Sequence, residues 1–125
     1  MTDVVRLQLP RDRGFRPVAH LVLGGLASRL DLTVDVLDDI ETAIDELLER
    51  REAPGDVTLS VEVGDDALRA TIGPFSGRVA EELRAKGEGL GLRRVLETVV
   101  DGVETSEEDG AQWVSLTKRL EVRDA

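Results

Sequence analysis

Three glycines at alternate positions, in Gly87-Glu88-Gly89-Leu90-Gly91-Leu92, stand directly before a helical pattern of Leu92, Val95, Leu96 and Val99. Glycines so placed let the backbone approach an anion closely and aim free N–H groups and the positive end of the helix dipole at it, which is phosphate-binding chemistry. The spacing is not that of a P-loop, because no Gly-Lys-Ser/Thr follows, nor that of a dinucleotide fingerprint, because no strand immediately precedes it. Taken alone, the same glycines serve equally well as a tight turn between two packed helices. A second candidate is Glu46, in Ala43-Ile44-Asp45-Glu46-Leu47-Leu48-Glu49-Arg50. It lies beside the apolar stripe of Ala43 and Leu47, so its carboxylate can point into a cleft at the edge of the core. A solvated side chain is the ordinary state of a Glu on so charged a helix.

The elements that must position these residues follow from hydrophobic period. Val4 to Leu9 alternate apolar and polar, as in a strand with one buried face, and Pro10 closes it. From Phe15 to Leu30 the apolar positions Val18, Leu21, Val22, Leu26 and Leu30 fall at helical steps, with Pro17 accommodated in the first turn and Gly24-Gly25 opening a place for close packing. A longer helix is signalled by Thr33 as N-cap, acidic Asp35, Asp38 and Asp39 near its start, and basic Arg50-Arg51 at its end. Its stripe is Val36, Leu37, Ile40, Ala43, Ile44, Leu47 and Leu48.

After Pro54-Gly55 the period changes to two. Val57, Leu59, Val61 and Val63, the turn Gly64-Asp65-Asp66, and Leu68, Ala70 and Ile72 spell a β-hairpin. Gly73-Pro74-Phe75-Ser76-Gly77 is expected to break the second strand, and Val79 to Lys86 to form a short polar helix. The chain closes on a second hairpin, Val100 to Thr105 and Gln112 to Leu120, joined through Glu107-Glu108-Asp109-Gly110. This order predicts an α+β, two-layer sandwich: one mixed, mainly antiparallel sheet covered on one face by about three helices.

Composition narrows the function. The 125 residues fit a single domain spanning 1–125. The formal charge of −10, from 16 Lys+Arg against 26 Asp+Glu, repels phosphate backbones and disfavours nucleic acid. No apolar run approaches the roughly 20 residues of a membrane span, and Met1-Thr2-Asp3 does not open a signal pattern, so a cytoplasmic protein is expected. A cysteine count of 0 removes disulfides, thiolate metal sites and cysteine nucleophiles, and the single histidine, His20, rules out a histidine-rich metal centre. His20 itself reads as a packed or surface histidine, and Trp113 as core or edge packing.

From about Val4 to Leu120 the sequence resembles the anti-sigma-factor serine/threonine kinases of bacterial partner-switching systems, a branch of the histidine-kinase-like ATPase superfamily. The resemblance is carried by Val18 to Leu30, Ile40 to Leu47, the box G-x-G-L-G-L matched in full by Gly87 to Leu92, and the ending Val114 to Leu120. It implies the Bergerat type of sandwich, with Gly87, Gly89, Leu90, Gly91 and Leu92 on the phosphates of ATP or ADP. It also implies Glu46 as the base that orients or deprotonates an attacking hydroxyl, and a sigma factor or anti-sigma antagonist as partner. The first helix with Gly24-Gly25 is the implied face for docking or homodimerisation, and Arg11, Arg13, Arg16 and Arg29 gather basic charge near it.

Two departures from the pattern bear on the chemistry. The family's helical box is E-x-x-x-N, the Asn holding magnesium, whereas four residues after Glu46 stands Arg50. A cation cannot ligate a cation; Arg50 could instead pair directly with a phosphate. The family's adenine-binding Asp, in D-x-G-x-G, falls here in Ala70-Thr71-Ile72-Gly73-Pro74-Phe75-Ser76-Gly77, which has no acidic residue. The expected protein is thus a regulator that binds a protein partner with an impaired ATP and magnesium site and no protein-held metal; the alternative is an active kinase acting on an antagonist serine.

Overall fold

The computed structural model describes residues 3–10, 13–49, 55–84 and 91–120. Strand β1 (Asp3–Pro10) leads through a 3-10 turn (Arg13–Phe15) into helices α1 (Arg16–Arg29) and α2 (Val34–Leu48). Hairpin β2 (Asp56–Val63) and β3 (Ala67–Phe75) follows, then helices α3 (Gly77–Arg84) and α4 (Leu92–Val99), and a final hairpin of β4 (Gly102–Glu108) and β5 (Ala111–Arg119).

Among the described residues the sheet has five strands in the order β1-β2-β3-β5-β4, and every neighbouring pair is antiparallel. It is therefore not mixed. β3 and β4 do run parallel, but β5 returns between them, so that direction never appears in a ladder. Alternation sorts the faces: Val57, Leu59, Val61, Val63, Leu68, Ala70, Ile72, Val114 and Leu116 all turn toward the helices. The helices answer with Ala19, Leu23 and Leu26 of α1, Ile40, Ala43, Ile44 and Leu47 of α2, Val79 and Leu83 of α3, and Leu92 and Leu96 of α4. Four helices among the described residues cover the face, where about three were expected. Among the described residues no polar or charged side chain is fully buried, so any chemistry must sit at the margin of this core.

Local signals explain the boundaries. Thr33 caps α2 as expected, its Oγ1 accepting from Val36 N at 3.2 Å, and Pro17 sits in the first turn of α1. β3, however, continues to Phe75 instead of breaking at Gly73. The register shifts between Ile72 and Phe75, which takes Pro74, following a cis bond, out of the ladder it could not donate to. Gly73 is needed for a different reason: a Cβ there would lie 2.6 Å from Trp113 Cδ2 and Cε3. Trp113 packs against that strand on the sheet's uncovered face, at an alternating position as expected but outside the core.

The remaining differences are of length. α3 starts two residues before the expected Val79, where Ser76 Oγ accepts from Arg78 N at 3.2 Å, and the expected end at Lys86 lies outside the described residues. The last turn is tighter than expected. Asp109 and Gly110 take φ of 51° and 78°, the two-residue form that matches strand twist, so β4 extends to Glu108.

Candidate functional site

The helix that carries Glu46 is held on one side by the core and on the other by ion pairs. Ala43, Ile44 and Leu47 bury one face of α2, and Glu46 stands half-buried at its edge. α2 packs against α4, the helix that the glycine box opens. Gly91 is the N-cap of α4, exposed and extended, its carbonyl accepting from Val95 N at 3.1 Å. Among the described residues, a Cβ built on Gly91 meets nothing within 4 Å, and the backbone N–H groups of the first turn are the donors a helix start offers to an anion. Leu92, 1% exposed, roots the box in the core. Gly87, Gly89, Leu90 and Arg50 lie outside the described residues.

Two cations whose roles the sequence reading did not assign fix α4. Lys118 reaches from β5 into the helix layer, where Nζ donates to Val99 O at 3.0 Å and pairs with Asp39 Oδ2 of α2 at 2.8 Å. A positive charge at the C-terminus of α4 also complements the helix dipole. Arg93 donates to Leu83 O at the end of α3 at 3.0 Å and to Val103 O of β4 at 3.4 Å. The signal for Lys118 was a lysine at an inward-facing position of an alternating strand, opposite apolar neighbours.

Of the basic groups near α1, Arg16 and His20 face carboxylates of the α2 segment. Arg16 Nη1 pairs with Glu49 Oε1 at 2.8 Å. His20, four residues on, has Nδ1 2.9 Å from Glu41 Oε2 and Nε2 2.9 Å from Asp45 Oδ1. Positions 16 and 20 of α1 thus face 49, 45 and 41 of the antiparallel α2, one helical turn per rung. Glu41 holds its proton above the ordinary carboxylate range: burial raises it, Asp38 and Asp45 raise it further, and His20 pulls the other way. Arg29 is exposed, whereas Arg11 and the Arg13 side chain fall outside the described residues. The outer side of α1 is apolar, with Phe15, Val18 and Leu21 exposed, Leu21 at 77%, and open space over Gly24 and Gly25.

Ile72, one candidate for the adenine-acid position, is 1% exposed and turned into the core; Pro74, the other, is half-buried. A groove of about 750 Å³ opens on the opposite, uncovered sheet face, floored by Thr58, Ser60 and Thr71 and flanked by Arg6 and Trp113. It lies across the sheet from α4. Among the described residues no group of three or more His, Asp or Glu is placed to hold a metal ion, and no helix is long and apolar enough to cross a membrane.

Against this geometry, comparison with known proteins is specific. A serine-protein kinase RsbW of Listeria innocua serovar 6a is 28% identical over an alignment 144 positions long, gaps included, covering 96% of this chain and 89% of that protein. The chain is similar to RsbW kinases over nearly its whole length. The RsbW of Bacillus subtilis is 24% identical over an alignment 141 positions long, gaps included, covering 94% of this chain and 86% of that protein. No family model matches. A crystal structure of the RsbU and RsbW domains of Rv1364c from Mycobacterium tuberculosis superposes with a TM-score of 0.68 at 16% identity, which shows the fold. That superposition covers 94% of this chain, which spans about a third (32%) of the solved one. The resemblance to serine kinases of the RsbW kind, stated on the glycine box and the two helices, is thus found in these relatives.

Proposed function

We propose that the chain is a cytoplasmic regulator of the anti-sigma type, one domain over 1–125, that acts by binding a sigma factor or an anti-sigma antagonist and has an impaired ATP and magnesium site. The observation that carries this reading is the mismatch between an intact phosphate box and its missing companions. Gly87 to Leu92 match G-x-G-L-G-L and open α4, whereas Arg50 stands at the metal-ligand position and Ile72 or Pro74 at the adenine position. Neither Ile72 nor Pro74 has a side-chain acceptor for the adenine amino group, and a missing buried partner costs about 1–3 kcal/mol, one to two powers of ten in affinity. The glycine box fits the phosphates of ATP or ADP, which Arg50 would pair with directly. An arginine at position 50 offers no oxygen donor to a magnesium ion. The apolar outer side of α1 supports partner docking or a homodimer.

Thermal stability with ATP or ADP, each with magnesium and with a chelator, tests the reading. The expected result is no magnesium-dependent shift. A ligand at ten times its dissociation constant adds about 1.4 kcal/mol, a rise of a few degrees, so a working site would be seen. A magnesium-dependent shift together with phosphate transfer to a serine of an antagonist would overturn it. That outcome would favour the second reading, an active serine/threonine kinase with Glu46 as base, for which the complete glycine box and the naming of the relatives as serine-protein kinases speak.

A further inference from the structure

We propose that His20 is a proton-operated clamp between α1 and α2, closed when the imidazole is charged and loosened when it is neutral. The geometry is two-sided. Both ring nitrogens lie 2.9 Å from carboxylate oxygens on the neighbouring helix, Nδ1 from Glu41 Oε2 and Nε2 from Asp45 Oδ1. An imidazolium donates at both nitrogens, whereas a neutral ring has one N–H and one lone pair. Deprotonation therefore replaces one of the two hydrogen bonds by a lone pair held against a carboxylate. One rung of the contact between the helices turns from attraction to repulsion.

The two rungs of the helix contact differ in chemistry. Among the described residues the groups facing the ring are Glu41 and Asp45 of α2; Asp38 acts on Glu41 from one turn away, and Arg16, one turn earlier on α1, is paired with Glu49. The Arg16–Glu49 rung contains no imidazole, and Glu41, whose carboxyl burial raises, sets the acid end of the range over which the ring meets two anions. Imidazole is the side chain that changes charge between about pH 5 and 8. The sign follows: the clamp contributes stability while the proton is bound and loses it as pH rises. Below the carboxylate range it loses its anions, so it is tightest in mild acid. His20 is 37% exposed and Glu41 19%, so the ring exchanges protons with water while its partners are partly desolvated.

The clamp has a place to act. α1 bears the exposed Phe15, Val18 and Leu21, and α2 bears Glu46 next to Asp45, so the contact sets how firmly the apolar face is held on the helix of the candidate site.

Amide hydrogen exchange of the full chain at pH 6.0 and 8.5, corrected for intrinsic rates and referenced to the amides of β2 and β3, tests the clamp. The protection of α1 is expected to fall roughly three- to fivefold between the two, the worth of one partly exposed ion pair. His20→Gln should abolish that difference and Asp45→Asn should reduce it. Arg16→Gln, which removes the rung without an imidazole, should lower protection equally at both values. A His20→Gln protein with the pH response of the parent would overturn the proposal, as would equal protection of the parent at both values. If His20→Gln does not fold, an Asp45→Asn response equal to the parent's overturns it in the same way.

Discussion

The two long helices are neighbours with opposite characters. Past its first residue, the exposed Val34, α2 separates its residues by face: Val36, Ile40, Ala43, Ile44 and Leu47 go inward, most of its acids lie on the other faces, and Thr33 caps the start. α1 buries Ala19, Leu23, Leu26 and Ala27 but leaves Phe15, Val18 and Leu21 in the open, and its N-cap residue, Phe15, makes no side-chain cap. A helix apolar on its outer side has stability to gain from a further surface. α2 is built to be held by the core; α1 is built to be held by α2 and by something else. The ion ladder of Arg16 and His20 against Glu49, Asp45 and Glu41 supplies from polar groups part of what the core does not give α1.

That contrast can be broken most severely on α2. Leu47→Ala removes a side chain that is 0% exposed and should cost about 2–5 kcal/mol, read as a lowered denaturation midpoint with little change in slope. Thr33→Ala should cost about 1 kcal/mol by orphaning Val36 N–H, whereas Phe15→Asp at the uncapped start of α1 should stabilise by about 0.5–1 kcal/mol, both measured by thermal melts. Leu21→Ser, at 77% exposure, should change stability by no more than about 0.5 kcal/mol, yet weaken binding to a partner or a second copy in a titration. An equal loss of stability from Leu21→Ser and Leu47→Ala would erase the distinction between the helices.

The smallest effect concerns pH. Burial raises Glu41, so the native state holds that proton more tightly than the unfolded chain does. Its contribution to stability is present below the ordinary value of 4.5 and is lost as pH rises through the raised one. Glu41→Gln, neutral throughout, should lack that loss, so its stability relative to the parent should rise as pH increases above 4.5, as followed by urea midpoints of both proteins at successive pH values. A variant that instead falls behind the parent over that range would mean that the attraction of His20 outweighs burial.

Much of this was legible along the chain because it is local. The inward stripe of α2, its Thr33 cap and the first hairpin follow from residues within one or two turns of each other, and propensity and period report such things directly. The glycine box was legible as a motif, and the structure adds that its helix lies against the helix of Glu46. What was misread lay where distant residues override local preference. Gly73-Pro74 reads as a strand end, but Trp113, forty positions away, packs where the missing Cβ leaves room, and the strand goes on.

The sequence by itself determined the α+β sandwich, the helix that presents Glu46, and the glycine-rich entry to α4, since each rests on short-range periodicity. Only the tertiary structure decided the company those residues keep. The placing of β5 between β3 and β4, the reach of Lys118 to α2 and α4, and the setting of His20 between Glu41 and Asp45 all depend on packing between segments far apart in the chain. A hydrophobic period fixes which face of an element turns inward, but not which neighbour it meets there.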